Sequence, residues 1–219
     1  MSGGGLVQVV DRESFFRASH VSRETMERFA VYESCLVEWQ RKINLISAGT
    51  LPGIWQRHFW DSAQLAPLVP ENARNWVDLG SGAGLPGLVL ALIIGAERPF
   101  TVHLVESDQR KSIFLREVIR RTGAPAIVHN ARMEAPETIA GIGICDGVSA
   151  RACAPLDRLL GWAAPYFGPT TVGLFLKGVK AEEELTNARK SWKFEVTRYP
   201  SEADAEGTVL KVERLSYDR

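Results

Sequence analysis

Asp78, Gly80, Gly82 and Gly84 stand at alternate positions in N-W-V-D-L-G-S-G-A-G-L-P-G, residues 75–87. Glycine takes positive φ without steric cost and lets the backbone come close to a bound molecule. Trp76-Val77-Asp78-Leu79 has the length and content of a buried strand. The apolar run Leu88 to Ile94 reads as a helix, and Pro86 suits the first turn of one. A helix start offers unpaired N–H groups. Strand, glycine turn and helix in this order make a cradle for a nucleotide-type cofactor.

Gly82-Ala83-Gly84-Leu85-Pro86-Gly87 also satisfies G-x-G-x-x-G, so a dinucleotide has to be weighed. Asp78 places a carboxylate at the strand's end beside the turn, where a pyrophosphate would be repelled. S-adenosylmethionine carries no phosphate; its amino and sulfonium groups are cationic, and an acid nearby favours them. The spacing Asp-x-Gly-x-Gly-x-Gly is also the usual first motif of class I methyltransferases. On this motif alone, a turn that merely links strand to helix stays open.

The following strand narrows the choice. Thr101-Val102-His103-Leu104-Val105-Glu106 ends in an acid, and a carboxylate about 20 residues or somewhat more past such a turn holds the ribose hydroxyls of an adenosine. Asp108 competes for that role. We place Glu106 on the ribose and Ser107 or Asp108 at the cap of the next helix.

Composition sets bounds. The chain has 219 residues, 45% of them hydrophobic, and 26 acids balance 26 Lys+Arg. That is one ordinary globular domain with an N-terminal extension. Its longest apolar run, Leu88 to Ile94, is too short to span a bilayer. Met-Ser-Gly-Gly-Gly lacks the basic and apolar regions of a signal peptide, so residues 1–10 are expected as a disordered lead and the protein as cytoplasmic. Cys35, Cys145 and Cys153 are odd in number without a C-x-x-C pair, which argues against zinc and a disulfide framework. The four histidines show no metal-ligand spacing, and no metal is expected. Zero net charge is a poor match for gripping naked nucleic acid, where phosphate contacts dominate. An RNA substrate would need basic side chains sorted onto one face, or a structured particle that is recognised by more than charge.

The remaining elements must position these groups. A short helix is expected over residues 11–20, and Ser22 is a good N-cap for a second one reaching Gln40. Residues 54–68, with Trp55, His58, Phe59, Trp60, Leu65 and Leu68, read as another helix closed by Pro67 and Pro70. These make a helical cap, residues 11–72, ahead of a catalytic domain over 73–219. Past the first strand come strands at 101–106, 126–130, 146–151 and 171–176, with helices at 108–121 and 155–166. Gly123 suits the left-handed position after the first of those helices. Two strands without a helix between them, 193–199 and 208–215, must pair antiparallel. The fold class is α/β: a mostly parallel, Rossmann-like sheet covered on both faces and ending in an antiparallel hairpin. A plain dinucleotide fold would continue with further strand–helix units.

Asn44-Leu45, Arg57-His58-Phe59-Trp60-Asp61-Ser62 and the whole stretch Val77 to Gly87 resemble the bacterial small-subunit ribosomal RNA guanine-N7 methyltransferases, the glucose-inhibited division protein B family. Arg110-Lys111, Phe114-Leu115, Arg132-Met133-Glu134, Ser149-Ala150-Arg151-Ala152 and Leu176-Lys177-Gly178 continue the resemblance in order, from about Glu38 onward. It implies S-adenosylmethionine contacts from Gly80, Leu85, Met133, Glu134 and Arg151, beside Asp78, Gly82, Gly84 and Glu106. Arg132, Arg151 and Lys177 match the family's basic positions near the reacting base. The implied partner is small-subunit ribosomal RNA, within an assembled or assembling subunit, and the protein is expected to act as a monomer.

The chemistry suits the residues. Guanine N7 has an exposed lone pair and needs no deprotonation, so alignment of the reactants supplies the acceleration. Cys153 is separated from Pro155 by Ala154, unlike a cytosine-C5 enzyme's Pro-Cys, and reads as a small buried residue. Lys177 at a strand end is equally read as a solvated edge charge, and His58 as bonded to Asp61 or Asp78. Arg110, Lys111, Arg116, Arg120 and Arg121 share one helix and its surroundings, with Arg116 on its solvated face. Arg41-Lys42 and Arg57-His58 flank the cap helices, which we expect to build part of the RNA face. A small-molecule or protein methyltransferase on the same fold, and a non-catalytic RNA assembly factor, are the competing functions.

Overall fold

The computed structural model describes residues 6–217. Its centre is a seven-stranded sheet in the order β3-β2-β1-β4-β5-β7-β6. Strands β1 (Asn75–Leu79), β2 (Thr101–Val105), β3 (Ala126–His129), β4 (Cys145–Arg151) and β5 (Phe167–Lys177) run parallel. β6 (Trp192–Pro200) and β7 (Thr208–Tyr217) form the closing antiparallel hairpin, with β7 against β5. β1 lies between two parallel neighbours, which explains why four of its five residues are buried.

Helices α1 (Arg12–Ser19), α2 (Arg23–Gln40), α4 (Gly87–Ile94) and α5 (Gln109–Thr122) lie on one face, with the short α3 (Asp61–Ala63). α6 (Pro136–Ile142), α7 (Leu156–Ala163) and α8 (Ala181–Ala188) cover the other. α4 is apolar all round, G-L-V-L-A-L-I-I, and nearly all of it is buried. A helix of that kind needs cover on every side. The cap provides it: Phe29, Tyr32 and Leu36 of α2 join Leu88, Leu92 and Phe114 in one core. The helix starts obey local rules. Asp11, Ser22 and Asp108 accept hydrogen bonds from amides of the first turns of α1, α2 and α5, and Gly123 ends α5 at φ 65° as expected.

Three expectations need correction. Residues 54–68 do not form one helix. A wide turn over Trp55–Trp60, with i→i+5 character, runs into α3, and a 3₁₀ turn spans Ala66–Leu68. Pro67 lacks the N–H that a continuous helix requires. In the wide turn, Trp55, Phe59 and Trp60 all pack on Phe15. Residues 6–10 are not a free lead: Val9 is buried and donates its N–H to Gln56 Oε1 (2.6 Å), and Val7 donates to the Glu202 carbonyl (3.0 Å). Residues 1–5 lie outside the described residues. Third, α6 and α8 are additional helices; in α8, Ala181, Leu185 and Ala188 form a buried stripe at helical spacing.

A Cβ on Gly147 of β4 would sit 1.9 Å from the Trp76 ring. Gly147→Ala is therefore expected to cost about 2–3 kcal/mol through overpacking. Gly141→Ala in α6 has nothing within 4 Å and should gain about 0.5–1 kcal/mol from helix propensity. Urea unfolding of both variants checks the pair.

Candidate active site

The glycine turn sits where β1 delivers it, at the carboxyl edge of the sheet, the edge that binds ligands in open α/β folds. Gly80 and Ser81 donate their N–H groups to the Val105 carbonyl (2.9 and 3.1 Å). Glu106, just past β2, accepts Gly82 N–H through Oε2 and Asp108 N–H through Oε1, each at 2.8 Å. Asp108 caps α5 by accepting from the Arg110 and Lys111 amides (2.8 and 3.1 Å). The two acids thus take different tasks: Glu106 borders the turn and Asp108 is committed to the helix. Each Glu106 oxygen keeps a lone pair for a further donor, such as a ribose hydroxyl.

Two glycines are needed for shape. Gly84 has φ +87°, and a Cβ there would meet Leu88 Cδ1 at 2.4 Å and the Tyr32 hydroxyl at 2.8 Å. Tyr32 of α2 donates that hydroxyl to the Ala83 carbonyl, tying the cap to the turn. Gly80, at φ +67°, would place a Cβ 2.8 Å from Cys153 Sγ and 3.5 Å from Met133 Cε. Leu85 is buried behind the turn.

Asp78 is fully buried, at the end of a polar chain. Trp76 Nε1 donates to Ser149 Oγ (3.0 Å), which donates to Asp78 Oδ1 (2.6 Å). Oδ2 faces Gly87 at the start of α4. Burial pushes the Asp78 carboxyl up to about 6, opposed by the Ser149 hydrogen bond and by the Gly87 amide, which helps to hold it down. A buried acid beneath a positive-φ turn favours a cationic ligand above the turn, as S-adenosylmethionine is.

Beyond β4 and β5 opens a cavity of about 440 Å³, lined by Asp61, Arg151, Cys153, Lys177, Glu184 and Asp204 among others. A second, of about 370 Å³, shares Asp61, Arg151 and Asp204 with it and extends beneath His58 and Thr50 of the cap. Cys153 is the wall between cavity and turn, since it lines the one and touches the other. Burial raises the Cys153 thiol, which keeps it protonated and poorly nucleophilic.

Arg151 and Lys177 are thus brought together, and neither is solvated. The Lys177 side chain, 8% exposed, pairs with Glu184 Oε2 (2.8 Å) and donates to the Ala154 carbonyl (2.6 Å). This corrects the edge-charge alternative. Arg151 pairs with Asp61 Oδ2 at 3.2 Å. His58 bonds to Arg151 and Thr50, not to Asp61 or Asp78. Arg132 stands apart: its side chain is 76% exposed, it faces Glu134 at 3.9 Å, and it lines neither cavity. Met133 packs on the turn from below, its carbonyl accepting the Tyr166 hydroxyl (2.8 Å), and Glu134 lies at the surface beside it. Glu184 and Asp204 are site residues that sequence reasoning missed. Glu184 sits in the first turn of α8, a helix whose stripe was legible.

A family model described as rRNA small subunit methyltransferase G (GidB) matches residues 25–207. The chain is 59% identical over 215 residues to the ribosomal RNA small subunit methyltransferase G of Parvibaculum lavamentivorans, covering 98% of this chain and 93% of that one. It is 51% identical to the protein of the same name from Paramagnetospirillum magneticum, over 94% of this chain and 97% of that one. Among solved structures, a fibrillarin/Nop5p complex aligns with 71% of this chain and 82% of that chain, at TM-score 0.56 and 15% identity. Aeropyrum pernix fibrillarin with natively bound S-adenosyl-L-methionine aligns with 70% of this chain and 76% of that chain, at TM-score 0.52 and 14% identity. These two likenesses show the fold.

With the sulfonium cofactor over the glycine turn, as the sequence leads us to expect, the raised Asp78 carboxyl is predicted to make affinity depend on pH. A cationic ligand favours the ionised acid, so below about pH 6 binding must also expel a proton. Affinity for S-adenosylmethionine should rise by up to about tenfold per pH unit towards pH 6 and level off above it. In the unliganded protein the sign is opposite: the fold holds this proton more tightly than the unfolded chain does. That stabilisation is full below the unfolded carboxyl's range, near pH 4, and is lost as pH rises through 6. Calorimetric titration of wild type and Asp78→Asn checks both, the variant being expected to show a flatter profile.

Proposed function

The chain belongs to the GidB family, rRNA small subunit methyltransferase G, and from that premise we propose how its residues methylate guanine N7 in small-subunit ribosomal RNA. S-adenosylmethionine is the cofactor, and when bound it supplies a sulfonium methyl group that passes to N7 in a single displacement. Asp78, Gly80, Gly82, Gly84, Leu85, Glu106, Met133 and Glu134 hold it, with Glu106 on the ribose. Arg151 and Lys177 orient the base in the cavity across Cys153, and Arg151 also borders the cofactor. Arg132, exposed beyond β3, meets the RNA backbone outside the cavity.

The observation that carries this reading is the shared wall. The cavity holding Arg151 and Lys177 and the turn holding the cofactor meet at Cys153. No general base is needed, because N7 loses no proton. The charges of the cavity are matched: Arg151 pairs with Asp61, Lys177 with Glu184, and Asp204 lies 4.0 Å from Arg57. A balanced lining accepts a base that is neutral before methylation and cationic after it.

The same balance bears on the substrate. Cations already paired inside the protein offer little to a bare polyanion. This supports an assembled or assembling small subunit as the substrate, with the cap of residues 11–72 forming the RNA-facing wall over a catalytic unit of 73–219. The enzyme acts as a monomer, in the cytoplasm where such particles are built.

The test is methyl transfer from labelled S-adenosylmethionine to small subunits and to naked RNA from cells lacking this activity, followed by nucleoside mass spectrometry. We expect 7-methylguanosine, formed faster on particles. Arg151→Ala and Lys177→Ala should each slow it by about a hundredfold through lost alignment. Label in another nucleoside, or none in RNA despite cofactor binding, sinks the reading.

A further inference from the structure

Arg151 projects from the end of β4, yet the acceptors that hold its guanidinium come from the cap. Nη1 donates to the Arg57 carbonyl (3.1 Å) and to Asp61 Oδ2 (3.2 Å), and Nη2 lies 3.0 Å from His58 Nδ1. All three belong to the wide turn over residues 55–60 and the residue after it. Turns of this kind are rare and are found disproportionately at functional sites. Here the widening lets Trp55, Phe59 and Trp60 bury against Phe15 while Arg57, His58 and Asp61 reach Arg151.

The hydrogen-bond direction is determined. A guanidinium has donors and no acceptor, so His58 Nδ1 must be the bare ring nitrogen. The proton of the neutral ring then sits on Nε2, which donates to Thr50 Oγ1 at 2.8 Å. Thr50 in turn donates its hydroxyl to the Ser47 carbonyl (2.7 Å). A single directed chain runs from Arg151 through His58 and Thr50 to the cap backbone. The arrangement tolerates ordinary pH, because burial and the neighbouring Arg151 and Arg57 keep the His58 ring neutral down to about 3.

We propose that His58 is a positioning residue for methyl transfer: as a neutral acceptor fixed by Thr50, and together with Asp61, it locks the Arg151 guanidinium in one orientation at the mouth of the cavity. The cap, rather than the sheet alone, then sets where the base stands. Three of the five guanidinium N–H groups are used by the cap, which leaves Nε–H and one Nη2–H for the substrate. The inference rests on the role of Arg151 proposed above.

The test uses the full chain with small subunits as substrate, under single-turnover conditions. His58→Asn keeps an acceptor near the Nδ1 position, His58→Leu keeps none, and Thr50→Val removes the partner that fixes the tautomer. His58→Leu is expected to slow methyl transfer by at least about tenfold, with S-adenosylmethionine affinity and melting temperature close to wild type. His58→Asn should recover most of the rate, and Thr50→Val should fall between them. Added to Arg151→Ala, His58→Leu should cost nothing further, as expected when one residue acts through another. Equal losses in His58→Asn and His58→Leu, or an undiminished loss in the Arg151→Ala background, would overturn the lock and leave the Arg151 role standing. Full activity of Arg151→Ala would remove that role itself, and the lock with it.

Discussion

The carboxylate of Glu106 ties together three parts of the molecule, beside the bonds from Gly80 and Ser81 to the Val105 carbonyl and from Ser112 to the Glu106 carbonyl. One oxygen takes the amide of Gly82 and the other the amide of Asp108, so the glycine turn, the end of β2 and the start of α5 share one anchor. A turn with three positive-φ glycines has little stiffness of its own. Charge-assisted hydrogen bonds of this type contribute about 1.5–3 kcal/mol each, enough to give the loop one conformation. Tyr32 grips the other side of the turn through Ala83. Protein–protein hydrogen bonds therefore fix the shape of the glycine turn, and the cap is part of its wall.

The second constraint is how charge is kept inside. Asp78 is buried beneath the turn with Ser149 as partner, Arg151 faces Asp61, and Lys177 faces Glu184. Isolated charges at such depth would carry a desolvation cost of several kcal/mol. Pairing makes them tolerable, and it also makes the cavity a poor phosphate trap. In the proposed reading, such a cavity, whose third acid Asp204 lies 4.0 Å from Arg57, aligns a flat and initially neutral base. The zero net charge of the chain has the same meaning at larger scale.

The succession of strands along the chain and the closing hairpin were legible because strands buried on both faces, such as β1, write short apolar runs and because no helix lies between β6 and β7; the order β3-β2-β1-β4-β5-β7-β6 in the sheet is a tertiary fact that those runs do not encode. The turn and Glu106 were legible because glycine spacing and a strand-end acid are local signals. Residues 54–68 were misread because their apolar periodicity fits a helix equally well; the packing of three aromatic side chains on Phe15 widens the turn, and that lies outside the segment. Glu184 and Asp61 partner cations that are near them only in space. Arg132 shows the converse: a basic residue at the expected place in sequence, with a side chain pointing to solvent. Charge partners are tertiary facts, and a pattern along the chain does not encode them.

Alignment without proton transfer is the central proposal, and the rate of the chemical step against pH tests it most directly. Methyl transfer would be followed in a single turnover on small subunits, with cofactor and RNA saturating, from pH 7 to 9. Asp78 is already ionised above its value of about 6, and His58 is neutral throughout this range. The rate is predicted to be flat. A rate rising tenfold per pH unit would show that a group must lose its proton before the methyl moves, and would contradict attack by a free N7 lone pair.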